Sequence, residues 1–133
     1  MKTQTSKTDP IYYQDASTLA DLIRRREISP VEVVKVHLDR IEAQNPAINA
    51  IVTIAETALM SAKDAEAAIM RGDKVGPLHG VPFTVKDSID TANVLTQRGS
   101  PIFKGRTPAQ DATSVSRMKK AGGTPTAPGW VGI

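Results

Sequence analysis

At 133 residues the chain is at most one ordinary domain, long enough to bury a core, but two Phe, two Tyr and one Trp leave large core-filling side chains scarce. It has no cysteine, which excludes a disulfide framework and a thiolate metal site. Its two histidines, His37 and His79, are too far apart in sequence to suggest a metal centre, and no cofactor is indicated. The net charge of +3 gathers in the second half, yet Arg98, Lys104, Arg106, Arg117, Lys119 and Lys120 are scattered without interleaved aromatic residues, so a solvated surface and no nucleic-acid partner is predicted.

Residues 1–11 read as a flexible N-terminus, closing on the small apolar anchor Ile11-Tyr12-Tyr13. No apolar core follows Met1 to Lys7, so no secretory signal is expected here. No run approaches the ~20 apolar residues needed to cross a bilayer, and a cytoplasmic chain with no membrane partner is expected. Ser17 then looks like the N-cap of a helix reaching Arg26, with Leu19, Leu22 and Ile23 on one face and Arg24-Arg25-Arg26 in its last turn. The next helix opens at Ser29-Pro30-Val31-Glu32, where Ser29 caps, Pro30 suits the first position and Glu32 completes a capping box. Val31, Val34, Leu38 and Ile41 form its apolar stripe, His37 falls off that stripe toward solvent, and Asn45-Pro46 is expected to end it. The β-branched run from Ile48 to Ile54 predicts a strand. A third helix is predicted from Glu56 to Met70, with the narrow stripe Ala58, Ala62, Ala65, Ile69 and a stop at Gly72.

Beyond the Gly76-Pro77 turn comes the stretch around which the chain is organised. Val81-Pro82-Phe83-Thr84-Val85 is a short apolar strand that delivers Lys86 at its end. Two readings of Lys86 stand side by side. Its apolar neighbours suggest a poorly solvated ammonium, which can lose its proton near neutral pH and act as a base; alternatively its head lies in water at the strand end. His79 in the preceding turn has no chemical role assigned. Asp87 and Asp90 read as turn chemistry, Gly99-Ser100-Pro101 as a further turn, and Pro108 and Asp111 introduce a helix ending at Gly122 with Val115 and Met118 inward.

Gly80-Val81-Pro82-Phe83-Thr84-Val85-Lys86-Asp87, followed in order by Leu95-Thr96-Gln97-Arg98-Gly99-Ser100, Asp111-Ala112-Thr113 and Met118-Lys119-Lys120-Ala121-Gly122, resembles the front end of the amidase signature family. The resemblance covers residues 12–122 and implies an α/β fold: the N-terminal part of a mixed sheet layered between helices, incomplete in this chain. It implies hydrolysis of a carbon–nitrogen amide bond by a Ser–Ser–Lys mechanism. A serine attacks the carboxamide carbonyl, and its proton passes through a second serine, held by a cis peptide, to a neutral lysine. The resemblance places that lysine at Lys86. The serines at 6, 17, 29, 61, 88, 100, 114 and 116 include none in a Gly-Gly-Ser or Gly-Ser-Ser setting, so neither family serine is matched, Ser88 and Ser100 included.

Residues 123–133 are a divergent tail. Family members continue into an apolar strand and a Lys-Thr-Asn turn, whereas Pro125 and Pro128 argue here against an inner sheet strand. The expectation is a truncated or frame-disrupted amidase, inactive alone, taking a small-molecule amide substrate only when completed by the missing part. The alternatives are half of a two-chain amidase or amidotransferase completed in trans, or a non-catalytic binding module. Unpaired strand edges predict a tendency to self-associate.

Overall fold

A computed structural model describes residues 9–128. Three helices come first: α1 (Ala16–Arg24), α2 (Pro30–Ile48) and α3 (Ala58–Arg71). Strand β1 (Pro82–Val85), helix α4 (Thr113–Lys120) and strand β2 (Thr124–Pro128) follow. The cap of α1 is Asp15, not Ser17. Asp15 Oδ1 accepts from Thr18 N–H at 2.7 Å, the reach that suits the third helical amide, and Ser17 lies inside the first turn. The helix stops at Arg24 because Arg26 takes a left-handed φ of 59°. Its guanidinium then crosses to α3, donating to the Ile69 carbonyl at 3.0 Å.

Helix α2 starts as its sequence predicts, with Ser29 Oγ accepting from Glu32 N–H at 3.0 Å and Pro30 in the first turn. It does not end at Asn45-Pro46. Pro46 sits within the last turn, where its missing N–H deprives only one carbonyl of a partner, and the helix runs on to Ile48. What ends it is Asn49, left-handed at φ 48° and ψ 44°, whose N–H donates to Asn45 O at 2.7 Å. The Asn45 side chain then clips the emerging chain, accepting from Ile51 N–H and donating to Ile51 O, both at 2.8 Å. The strand predicted over 48–54 does not form, because its first residue is helical and the rest meets no ladder among the described residues. His37, expected in solvent, is half-buried with Nδ1 2.7 Å from the Val33 carbonyl.

The core has two parts with α2 between them. Val33 packs with Leu19, Ala20, Ile23 and Val81, whereas its neighbour Val34 packs with Ala55, Ala58 and Ala62. The predicted stripe contained Val34 and missed Val33, because it allowed α2 a single buried face. In α3 the alanines Ala58, Ala62 and Ala65 are buried as expected and let α2 approach closely.

β1 and β2 pair in parallel, Pro82 opposite Thr124 and Phe83 opposite Pro125, with an irregularity before Thr84 pairs with Ala127. The prolines therefore do not keep the tail out of the sheet. Among the described residues β2 has a neighbour on one edge only. Thr124 N–H donates to Val81 O at 2.8 Å, so alternation turns the donorless nitrogen of Pro125 away from β1. With α2 against β1 and α3 against β2, the result is a helix layer on a small parallel sheet, the α/β class expected.

Candidate active site

Lys86 is placed by what lies before and after it. Upstream, the turn over residues 76–80 is laid against the end of α4: Leu78 N–H donates to Ala121 O at 2.8 Å and Gly80 N–H to Gly122 O at 2.9 Å. The approach admits no side chain. A Cβ on Gly76 would stand 2.4 Å from Ala121 O, and one on Gly122 (φ 93°) 2.6 Å from His79 Cα. His79 is more than incidental, since its Nε2 lies 2.8 Å from Ala65 O and ties the turn to α3.

Along β1 the burial alternates. Val81 and Val85 are buried, whereas Thr84 and Lys86 are exposed. The Lys86 carbonyl accepts from Ile89 N–H at 2.8 Å, and the Lys86 ammonium makes no hydrogen bond or ion pair with any described residue. Lys86 is exposed, and the poorly solvated setting read from its neighbours is not found among the described residues. Val81 packs on Leu19, Ala20, Ile23 and Val33 of the helices, whereas on the other side of the strand Thr84 and Lys86 are open to solvent.

Downstream, three aspartates latch the loop between β1 and α4. Asp87 is buried (5% exposed), and its two oxygens accept from Gln97 N–H at 3.1 Å and Gly99 N–H at 3.0 Å. Asp90 holds Arg106 through both guanidinium nitrogens at 2.8 and 2.7 Å, and Arg98 at 3.1 Å. The Arg106 hydrogen bonds, helped by Arg98, keep the Asp90 carboxyl well below the usual carboxylate range. Asp111 accepts from Ala92 N–H at 2.7 Å and from Lys119 Nζ at 2.7 and 2.9 Å. Burial pushes its carboxyl up, but the Lys119 and Ala92 hydrogen bonds outweigh it and hold it below the ordinary value. Gln97 Oε1 adds a bond from Gly105 N–H at 2.9 Å. The turn chemistry expected of Asp87 and Asp90 is not what they perform: Asp87 accepts amides from distant residues, and Asp90 pairs with the guanidinium groups of Arg98 and Arg106. The readable signal was three aspartates each followed by a cation or a Gln-Arg-Gly segment.

Neither nearby serine meets the lysine. Ser88 is exposed, and Ser100 Oγ accepts from Ile102 N–H at 3.4 Å, capping a short turn of helix over Pro101–Phe103. Beside Asp87 opens a cleft of about 440 Å³ bordered by Val52, Gln97, Ser100 and Lys104. Among the described residues no group of three or more His, Cys, Asp or Glu could hold a metal ion, and no helix is long and apolar enough to cross a membrane.

Residues 32–128 match the model of the Amidase family. The chain belongs to this family. The match takes in β2, past the last motif at Gly122. Among curated amidase relatives, a glutamyl-tRNA(Gln) amidotransferase subunit from Carboxydothermus hydrogenoformans is 42% identical over 113 residues, which cover 84% of this chain and 23% of the relative. Among solved structures, the peptide amidase from Stenotrophomonas maltophilia superposes with a TM-score of 0.85 at 28% identity, over 90% of this chain and 25% of that one. A bacterial aryl acylamidase of the amidase signature family gives a TM-score of 0.84 at 28% identity, over 92% of this chain and 26% of that one. The chain thus spans about a quarter of the length of these amidases, and its helix layer and parallel sheet are part of their fold.

Proposed function

We propose that this chain carries the general-base lysine of a Ser–Ser–Lys amidase and hydrolyses no amide by itself, the two serines belonging to polypeptide outside these 133 residues. The observation that carries the reading is Lys86. It follows β1 on the side where Thr84 is exposed, its ammonium has no partner among the described residues, and the carboxylates that follow it are committed to other partners. In the complete enzyme the Lys86 amine would take the proton that leaves the attacking serine through its neighbour, and return it to the departing amine. Polypeptide laid over that side of the sheet would exclude water from the ammonium, the condition under which a lysine serves as a base. The amidotransferase relative favours a second reading in which the released nitrogen is transferred to another acceptor and not lost to water; the role of Lys86 is the same in both.

The test is turnover of a simple carboxamide, followed by ammonia release. The isolated chain should be inactive. Mixed with a polypeptide supplying the serine-bearing part of an amidase, it should hydrolyse the amide, and Lys86→Ala should reduce that rate by a factor of about 100 or more. Hydrolysis by the isolated chain, or full activity of the Lys86→Ala mixture, would overturn the reading.

A further inference from the structure

Two of the three aspartates in the loop after β1 are matched by cations, and one is not. Asp90 lies against Arg98 and Arg106, and Asp111 against Lys119. Asp87 is the most deeply buried of the three and pairs with no cation among the described residues; its carboxylate has the amides of Gln97 and Gly99. Burying a carboxylate for two amides is a poor way to stabilise a loop, because desolvation opposes the gain from the bonds. What the arrangement supplies is direction, since both oxygens are satisfied at one placement of the carboxylate. That placement bears on Lys86. Asp87 stands at the first central position of the turn that Ile89 N–H closes on the Lys86 carbonyl at 2.8 Å. On the other side of Lys86, Val85 is held in the sheet opposite Pro128. The exposed Lys86 and the buried Asp87 leave the chain on opposite sides, as successive residues at a strand end do. A rotation of the peptide between them would swing the lysine and lift the carboxylate off both amides.

We propose that Asp87 is the positioning residue for Lys86: its latch on Gln97 and Gly99 sets the direction in which the ammonium leaves the sheet. This rests on the reading above that Lys86 is the general base. A base held within a narrow range of angles meets the serine that delivers its proton in line at every turnover. A displacement of about 1 Å at such a group can lower a rate by a factor of about 100. A plain loop latch is the competing account. Asp111 supplies the comparison, because it ties Ala92 and Lys119 together without touching the turn at Lys86.

Hydrogen exchange on the 133-residue chain reads the coupling without any turnover. In the unmodified chain the amides of Ile89, Gln97 and Gly99 should open together, with one urea dependence. Asp87→Asn keeps the volume and offers one acceptor oxygen in place of two. It should speed all three amides by a factor of about ten or more while α2 stays protected. Asp111→Asn should speed Ala92 and leave Ile89 as it was. In a mixture that hydrolyses a carboxamide, Asp87→Asn should lower kcat about 10- to 100-fold with KM within about twofold. It should lower the residual rate no further once Lys86 is replaced by alanine, because a positioning residue acts only through the group it positions. Independent opening of Ile89 in the unmodified chain would overturn the proposal even if the variant failed to fold. So would an equal loss from Asp87→Asn with and without Lys86, which marks a purely structural role, or a rise in KM alone. A mixture without turnover would count against the proposed function and leave the exchange result to decide on Asp87. Coupled exchange with an unchanged kcat would do the reverse, overturning the proposal and leaving the proposed function standing.

Discussion

Around α2 the residues shut away from water are Leu19, Ile23, Pro30, Val33, Val34, Val81 and alanines; between Lys86 and Ala112 they are Asp87, Thr91 and Thr96, with Pro108 the only apolar one. The two regions lie against each other in one short chain and are held by different physics. Apolar burial is non-directional and tolerates small shifts, whereas a carboxylate accepting two amides works only at one separation and angle. The first suits a platform. The second suits a segment that must bring Gln97, Gly99 and Arg106 to fixed places around the exit of β1, so that Lys86 leaves the sheet in a defined direction. The contrast also has a limit: Thr91 Oγ1 is buried without a hydrogen-bond partner among the described residues, so even the polar region is not fully satisfied.

The comparison can be broken most forcefully from the apolar side. Ile23 is 1% exposed at the centre of the first cluster, and Ile23→Ala should cost about 2–5 kcal/mol in urea unfolding, with every protected amide losing stability together. Asp87→Ala should cost less, about 1–3 kcal/mol for the amides left without an acceptor, and hydrogen exchange should rise first at Gln97 and Gly99 while α2 stays protected. If α2 amides opened equally, the latch would be part of the core and the contrast would fail.

Acid should separate the regions most finely. Asp90 and Asp111 both have folded-state values below the unfolded one, so their contribution is complete above the usual Asp value of about 3.9 and declines as pH falls below it. Lowering the pH from 5 to 2 should therefore raise the intrinsic-rate-corrected exchange of Ala92, which donates to Asp111, and of Thr96 and Ala112, which bond to Arg106 and Asp90. Helix α2, which rests on Val33 and Val34, should lag behind. Equal loosening of both regions would mean that the carboxylates do not carry the difference.

How much of this was written in the sequence follows the same divide. The start of α2 was legible because Ser29, Pro30 and Glu32 act within one turn, and the alanine face of α3 and its Gly72 stop were legible for the same reason. The strand ending at Lys86 and the family were legible from contiguous motifs. What failed to show were contacts between distant segments. Asn45 reaching Ile51 converts a proline-terminated helix and a strand into a longer helix and an unpaired run. Ser17 lost the cap to Asp15 by a difference of position that composition does not resolve. The exposure of Lys86 depends on what covers the sheet, and no feature of its own neighbourhood in sequence states that.

The close fit of the 76–80 turn on Ala121 and Gly122 has a kinetic meaning. β1 is paired by a strand that lies far downstream, and parallel strands joined by a long crossover form slowly because a large loop must close before any bond rewards it. During synthesis at about 5–20 residues per second, Lys86 is added seconds before Thr124, the residue that fixes β1. For that interval Pro82–Val85 is a short apolar segment without its partner strand, while α1, α2 and α3 already have their contacts with one another available. The lysine is thus among the last features of the chain to be set, and its surroundings are the stage at which a slow ribosome or a waiting chaperone would make a difference.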